Sequence, residues 1–245
     1  MFTEILGAVA TPHGIDRYLE LVHPMLTLRE LRAELTDVHR STSDMTTLTL
    51  RPTRQWRGFT AGQFVRVTVD IDGVRRTRCY SPACSQHRSD GRIELTVKAH
   101  ADGLVSRYLH TWARPGLVVG LSQADGTFTL PAVRPGRILL TSGGSGITPV
   151  LSMLRTLCDE RYPGDVTFLH YADSEPAVPH LAELRSLAAR GDVRLALRYP
   201  DVHGFFDLEH LRAAEPRFAQ ARTYLCRPPG LISVQIGRAS CRERV

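Results

Sequence analysis

The chain has 245 residues, 42% apolar and 23% charged, which suits a globular protein with room for two modest cores. No apolar run approaches the roughly 20 residues that cross a bilayer, and Met1–Thr11 lacks a basic segment ahead of an apolar core. Direct membrane insertion is therefore not expected, and a cytoplasmic protein is. The net charge of +6 rests on scattered arginines, with Lys98 the only lysine, and no aromatic-interleaved basic stripe suggests nucleic-acid binding.

Residues 1–30 read as an N-terminal extension whose periodicity predicts one short amphipathic helix over residues 14–26, stopped near Pro24. From Leu31 the period becomes two. Val65, Val67 and Val69 alternate with polar neighbours, as do Ile93, Leu95 and Val97. Turn signals at Arg57-Gly58, Asp72-Gly73 and Ser89-Asp90-Gly91 separate the strands, so residues 31–134 predict an antiparallel β-barrel domain. A helix from about Val105 to Ala113 interrupts it.

Past Pro135-Gly136 the texture changes. Arg137–Thr141 is a nearly continuous apolar run, followed by a glycine turn and a helical pattern over Pro149–Cys158. Strands at Val166–Tyr171, Val193–Tyr199 and Thr223–Cys226 alternate with helices near His180–Ala189 and Leu208–Ala214. That alternation predicts a doubly wound parallel sheet over residues 135–235, an α/β nucleotide-binding domain. Residues 236–245 lack apolar periodicity and read like translated sequencing-adapter sequence, which implies a chain cut short of its native C-terminus.

Cys79 and Cys84 have the C-x₄-C spacing that opens a plant-type iron–sulfur site. The third ligand position is His87, so reduced thiols are expected instead, and no metal site within this chain.

The sharper signal is a set of motifs. Arg78-Cys79-Tyr80-Ser81 ends a predicted strand, with Arg78 and Tyr80 on one face. Thr96-Val97-Lys98 and Gly103-Leu104-Val105-Ser106 follow. Gly143-Gly144-Ser145-Gly146-Ile147-Thr148-Pro149 comes about 65 residues after Arg78 and lies between a strand and a helix. Thr223-Tyr224-Leu225-Cys226-Arg227-Pro228-Pro229 closes the set. From about Leu31 to Leu231 the chain thereby resembles the ferredoxin–NADP⁺ reductase family.

The resemblance implies roles residue by residue. Arg78 binds a flavin phosphate, for which a guanidinium fork is suited. Tyr80 packs against the isoalloxazine, and Ser81 hydrogen-bonds near flavin N5. Val97 and Lys98 flank the flavin. Gly103, Val105 and Ser106 open a helix whose free N–H groups suit a pyrophosphate, which favours FAD over FMN. Gly143, Gly144, Gly146 and Ile147 line the nucleotide channel, and Thr148 and Pro149 reach toward the flavin. Cys226 lies beside the reacting carbon of nicotinamide, so Tyr80, Ser81 and Cys226 are the catalytic candidates. Arg227 departs from the family pattern, which has glycine there.

The implied reaction passes hydride from NAD(P)H to FAD and then single electrons to a 2Fe-2S ferredoxin. Asp173 could accept from a ribose 2′-OH and Ser174 could bind a 2′-phosphate, so NADH and NADPH both stay open. Thr11–Glu20 is similar to extensions on actinobacterial members, in which a ferredoxin domain follows the reductase. The partners implied are that domain or a separate ferredoxin, which would carry the 2Fe-2S cluster, and a terminal oxygenase or fatty-acid desaturase. The rival readings are a reductase of free flavin, ferric chelates or oxygen, and a truncated fragment without catalysis.

Overall fold

A computed structural model describes residues 15–226 and 240–241. The adapter-like tail, apart from residues 240–241, and Arg227 lie outside the described residues. Helix α1 (Ile15–Val22) precedes a six-stranded sheet of β1 (Arg32–Arg40), β2 (Met45–Pro52), β3 (Val65–Ile71), β4 (Val74–Tyr80), β5 (Ile93–Lys98) and β6 (Val118–Leu121). Its order is β4-β3-β6-β1-β2-β5, antiparallel throughout. Val65, Val67, Val69, Ile93, Leu95 and Val97 all turn into one core, as the period-two pattern predicts. At about 1.5–3 kcal/mol for each such buried side chain, this interior face holds the sheet curled.

The curl is closed by little. Between β4 and β5 the isolated bridge Pro82↔Leu95 and the bond from Ala83 N–H to Glu94 O join the two edges. Helix α2 (Leu104–Trp112) follows β5 and packs Val105 and Leu109 into the barrel core. The predicted N-terminal helix is present and anchored: Asp16 accepts from the N–H groups of Leu28, Arg29 and Glu30, at 2.5, 2.9 and 2.8 Å. Glu20 and Glu30 both pair with the buried Arg32 of β1, at 3.1 and 2.6 Å.

The second sheet contains β7 (Arg137–Gly143), β8 (Asp165–Tyr171), β9 (Arg194–Arg198), β10 (Arg222–Cys226) and the two-residue β11 (Ser240–Cys241). All pairings are parallel, in the order β11-β10-β7-β8-β9. Ile138 and Leu140 face α3 (Ile147–Asp159) and α4 (Leu181–Ala189), whereas Leu139 and Leu169 face α5 (Leu208–Ala214). A continuous apolar strand is what a sheet covered on both faces requires.

Glu215, just past α5, is 1% exposed and lies among Arg137 (3.3 Å), Arg194 (3.2 Å) and the Thr167 hydroxyl (3.0 Å). Burial alone would raise its pKa, but the Arg217 N–H, Thr167 and the two arginines together hold it below the usual carboxylate value. A depressed folded pKa contributes stability above the unfolded pKa and loses it as pH falls through the folded one. Glu215→Ala should therefore cost about 3 kcal/mol at neutral pH, the scale for breaking a buried pair, and the penalty should shrink on acidification. Urea unfolding at two pH values measures both effects.

Candidate functional site

β4 is an edge strand, and its pairing sets which way the first motif faces. Arg78 stands opposite Val67 and Tyr80 opposite Val65, so both share the side of the sheet on which those valines are buried. Because β5 and β4 are joined by little more than the Pro82 bridge and the Ala83–Glu94 bond, that side opens there into a cleft of about 560 Å³. Arg78, Tyr80 and Ser81 form one wall; Thr96 and Lys98 of β5 form another. Gly103, Val105 and Ser106 bring the N-terminal turn of α2 to it, and Ser145 and Thr148 bring the N-terminal turn of α3. A larger hollow of about 780 Å³ lies where α1 meets β3 and β6, but Glu20, Glu30 and Arg32 there are already paired with one another and none of the motif residues lines it.

The cleft is rich in donors for an anion. The Arg78 guanidinium spends one N–H on the Thr77 carbonyl (2.8 Å), leaving others for a ligand. The first turn of α2 has no side-chain cap, so its backbone N–H groups face the cleft with the positive end of the helix dipole. A Cβ at Gly103 would meet Ser106 Oγ, so a larger residue there would displace that hydroxyl from the turn. Ser106 Oγ instead donates to the Gly103 carbonyl (3.1 Å) and accepts from His100 N–H (3.4 Å), which holds the turn in shape. Lys98 Nζ lies 3.3 Å from Asp44 and 3.8 Å from Asp173, reaching from the barrel to the second sheet's domain.

Tyr80 supplies a flat apolar face. Burial pushes its phenol up to about 12, with Arg78 pulling the other way, so it keeps its proton at all ordinary pH values. A guanidinium, an open helix N-terminus, a tight glycine turn and an aromatic ring fit the diphosphate and ring system of FAD.

The second motif is built by a strand-to-helix turn. β7 ends at Gly143, and Gly144 has φ 52°, a left-handed conformation that glycine adopts without penalty. Gly146 N-caps α3. β7 is also where the sheet's order reverses: β8 and β9 extend to one side and β10 to the other. Parallel α/β sheets bind ligands at such a switch point, outside the carboxyl ends of the strands. Cys226 ends β10 in register with Ser142 of β7, so it borders that crevice.

Of the residues singled out from the sequence, Arg78, Tyr80, Ser81, Lys98, Gly103, Val105, Ser106 and Thr148 converge on the cleft. Val97 does not line the cleft, for its side chain is in the barrel core. Ile147 is buried in the core of the second domain and Pro149 inside α3. Cys226 is 3% exposed, packed with that same core. Asp173 faces Lys98. Residues not singled out also line the cleft: Thr77, His100, Asp102 and Ser145. His100 and Asp102 sit in the loop between two recognised segments, and that position was the only signal available for them.

Behind the glycine turn, His170 is fully buried. Its Nδ1 lies 2.9 Å from Ser142 Oγ, and burial, assisted by Lys98, pushes its pKa down to about 3, so the ring is neutral.

Residues 32–130 match the oxidoreductase FAD-binding domain family. A Mycobacterium tuberculosis NADPH oxidoreductase is 36% identical over 237 residues, which is 94% of this chain and 62% of that protein. The ferredoxin reductase component of the Mycolicibacterium smegmatis 3-ketosteroid-9-alpha-monooxygenase is 31% identical over 69% of this chain and 48% of its own length. The chain thus spans about half to three-fifths of these relatives. Among solved structures, a Neisseria gonorrhoeae ferredoxin NADP⁺ reductase with bound FAD and NADP superposes with TM-score 0.70 at 19% identity, over 83% of this chain and 88% of that one. Phthalate dioxygenase reductase does so with TM-score 0.68 at 24% identity, over 86% and 67%. These two likenesses speak for the fold: a curled antiparallel sheet followed by a parallel one. The two-sheet fold is that of the ferredoxin–NADP⁺ reductases, and its first domain, residues 32–130, belongs to the oxidoreductase FAD-binding domain family.

Proposed function

We propose that the protein carries electrons from NADPH or NADH through FAD to a 2Fe-2S ferredoxin that feeds an oxygenase or a fatty-acid desaturase. The observation that carries this reading is a juxtaposition. Ser145 and Thr148, from the nucleotide motif, line the same cleft as Arg78, Tyr80 and Ser81. When bound, FAD supplies the exchange between a two-electron donor and one-electron acceptors, accepting at N5 the hydrogen and electron pair from nicotinamide C4.

The chain's own part is binding, orientation and exclusion of water. Arg78 and the first turn of α2 neutralise the diphosphate. Tyr80 covers one ring face and stays neutral. The Ser81 hydroxyl can donate or accept a hydrogen bond at the ring edge. Gly144 lets the nucleotide backbone approach, and Cys226 closes the crevice from β10. The name of the Mycobacterium tuberculosis relative supports NADPH as donor and that of the Mycolicibacterium smegmatis relative a reductase that serves an oxygenase, and a net charge of +6 favours encounter with an acidic carrier protein.

The acceptor is tested by steady-state turnover of the FAD-loaded chain with a plant-type 2Fe-2S ferredoxin, ferric citrate and oxygen in parallel. Ferredoxin reduction should exceed both others by at least tenfold per flavin. Turnover with ferric citrate or oxygen equal to that with ferredoxin would favour the rival acceptors.

A further inference from the structure

Helix α3 starts at the nucleotide turn, and seven residues after Thr148 it carries Arg155. The side chain is 16% exposed and all five of its N–H donors are engaged. Nε and Nη2 bond the Glu183 carboxylate of α4 at 2.8 and 2.6 Å, and Nη2 also bonds His180 Nδ1 at 3.2 Å. Those partners belong to the nucleotide domain. Nη1 crosses to the barrel, where it bonds the Ala83 carbonyl (2.8 Å) and Glu94 (2.6 Å).

Two of these partners, Ala83 and His180, lead to the cleft. Ala83 follows Ser81 by two residues, beyond the Pro82 bridge that closes the sheet. His180 provides the second route. Since Arg155 can only donate, His180 Nδ1 accepts. Burial and Arg155 also lower its pKa, so the ring is neutral and its proton is on Nε2. Nε2–H then donates to Thr96 Oγ1 at 3.0 Å, and Thr96 lines the cleft. One guanidinium therefore ties the helix that begins at the nucleotide turn to two walls of the flavin site. The same face of α3 adds two more links: Ser152 Oγ donates to the Cys84 carbonyl (2.7 Å), and Gln86 N–H donates to Thr156 Oγ1 (3.1 Å).

We infer that Arg155 is a positioning residue for hydride transfer: it fixes how far the α3 N-terminus, and the nicotinamide beside it, stands from the flavin ring. This rests on the reductase reading above. The reaction breaks nicotinamide C4–H and forms flavin N5–H, the electron pair leaving the nucleotide oxidised and the flavin reduced. Such a step is steep in distance, and a misplacement of about 1 Å can lose roughly 100-fold.

The test compares Arg155→Met and Arg155→Lys with the parent, each loaded with FAD and mixed anaerobically with NADPH or NADH. In Arg155→Met the flavin-reduction rate constant should fall at least tenfold, and the long-wavelength absorbance of nicotinamide stacked on flavin should weaken. FAD content and nucleotide Kd should stay within threefold of the parent, and Arg155→Lys should recover part of the rate. Amide exchange over residues 83–96 in flavin-free Arg155→Met should also accelerate. A reduction rate within twofold of the parent, or a fall matched by loss of FAD or nucleotide binding, would overturn the inference; so would unchanged exchange over residues 83–96. If Arg155→Met does not fold, Glu94→Gln decides by the same measurements, with a fall of at least threefold expected and an unchanged rate overturning. A parent whose bound FAD neither nucleotide reduces would overturn the reductase reading itself, and the exchange measurement would still report on Arg155.

Discussion

Arg78→Ala should lower affinity for FAD by roughly 10- to 150-fold while the fold stays intact. Arg78 is exposed at the cleft wall near the end of β4, and within the protein it donates to its neighbour's carbonyl. Removing it leaves no buried charge behind. What is lost is a guanidinium–phosphate pair, and hydrogen bonds to charged groups contribute about 1.5–3 kcal/mol, which converts to that range in Kd. Flavin retained after gel filtration reads the effect, and fluorescence titration with FAD and with riboflavin refines it. Riboflavin has no phosphate, so its affinity should hardly change. Equal FAD occupancy in mutant and parent would remove Arg78 from the site.

Gly144→Val should abolish nucleotide-dependent reduction, by 100-fold or more, and leave FAD binding near the parent's. Gly144 has φ 52°, a conformation that costs a non-glycine residue about 1–2 kcal/mol and a β-branched one more. Relief of that strain must move the turn between β7 and α3. The same substitution puts two methyl groups where a pyrophosphate backbone would approach. FAD should be little affected because its phosphate donors, Arg78 and the α2 turn, belong to the other domain. Stopped-flow reduction, with FAD content as the control, separates the two sites. Parallel loss of FAD and of reduction would mean that the turn supports the barrel instead.

Much of this architecture is legible in the chain. Alternation at Val65–Val69 and Ile93–Val97 reports the inside of the barrel because a strand has period two, and those residues are the buried ones. The Arg137–Thr141 run reports a strand covered on both faces for the complementary reason. The motif residues that line the cleft are singled out from the chain as well, since each supplies a chemistry that few residue types offer. Less visible is how the cleft is held open and closed. The Pro82–Leu95 bridge, the Lys98–Asp173 pair and the Arg155 network join residues far apart in sequence, and nothing local distinguishes Arg155 from other helical arginines. Pro149 and Ile147 show the converse. They stand inside a specific motif, yet their side chains serve packing, while Ser145 and Thr148 between and beside them reach the cleft.

The central claim is that the Arg78–Ser81 and Gly143–Thr148 segments face each other across one flavin. Anaerobic titration of the FAD-loaded protein with NADPH, and separately with NADH, tests it most directly. The flavin absorbance should bleach fully at one equivalent of at least one nucleotide per FAD, since the donor and the acceptor each exchange one electron pair. Bound FAD that dithionite bleaches but that neither nucleotide touches at millimolar concentration would contradict it.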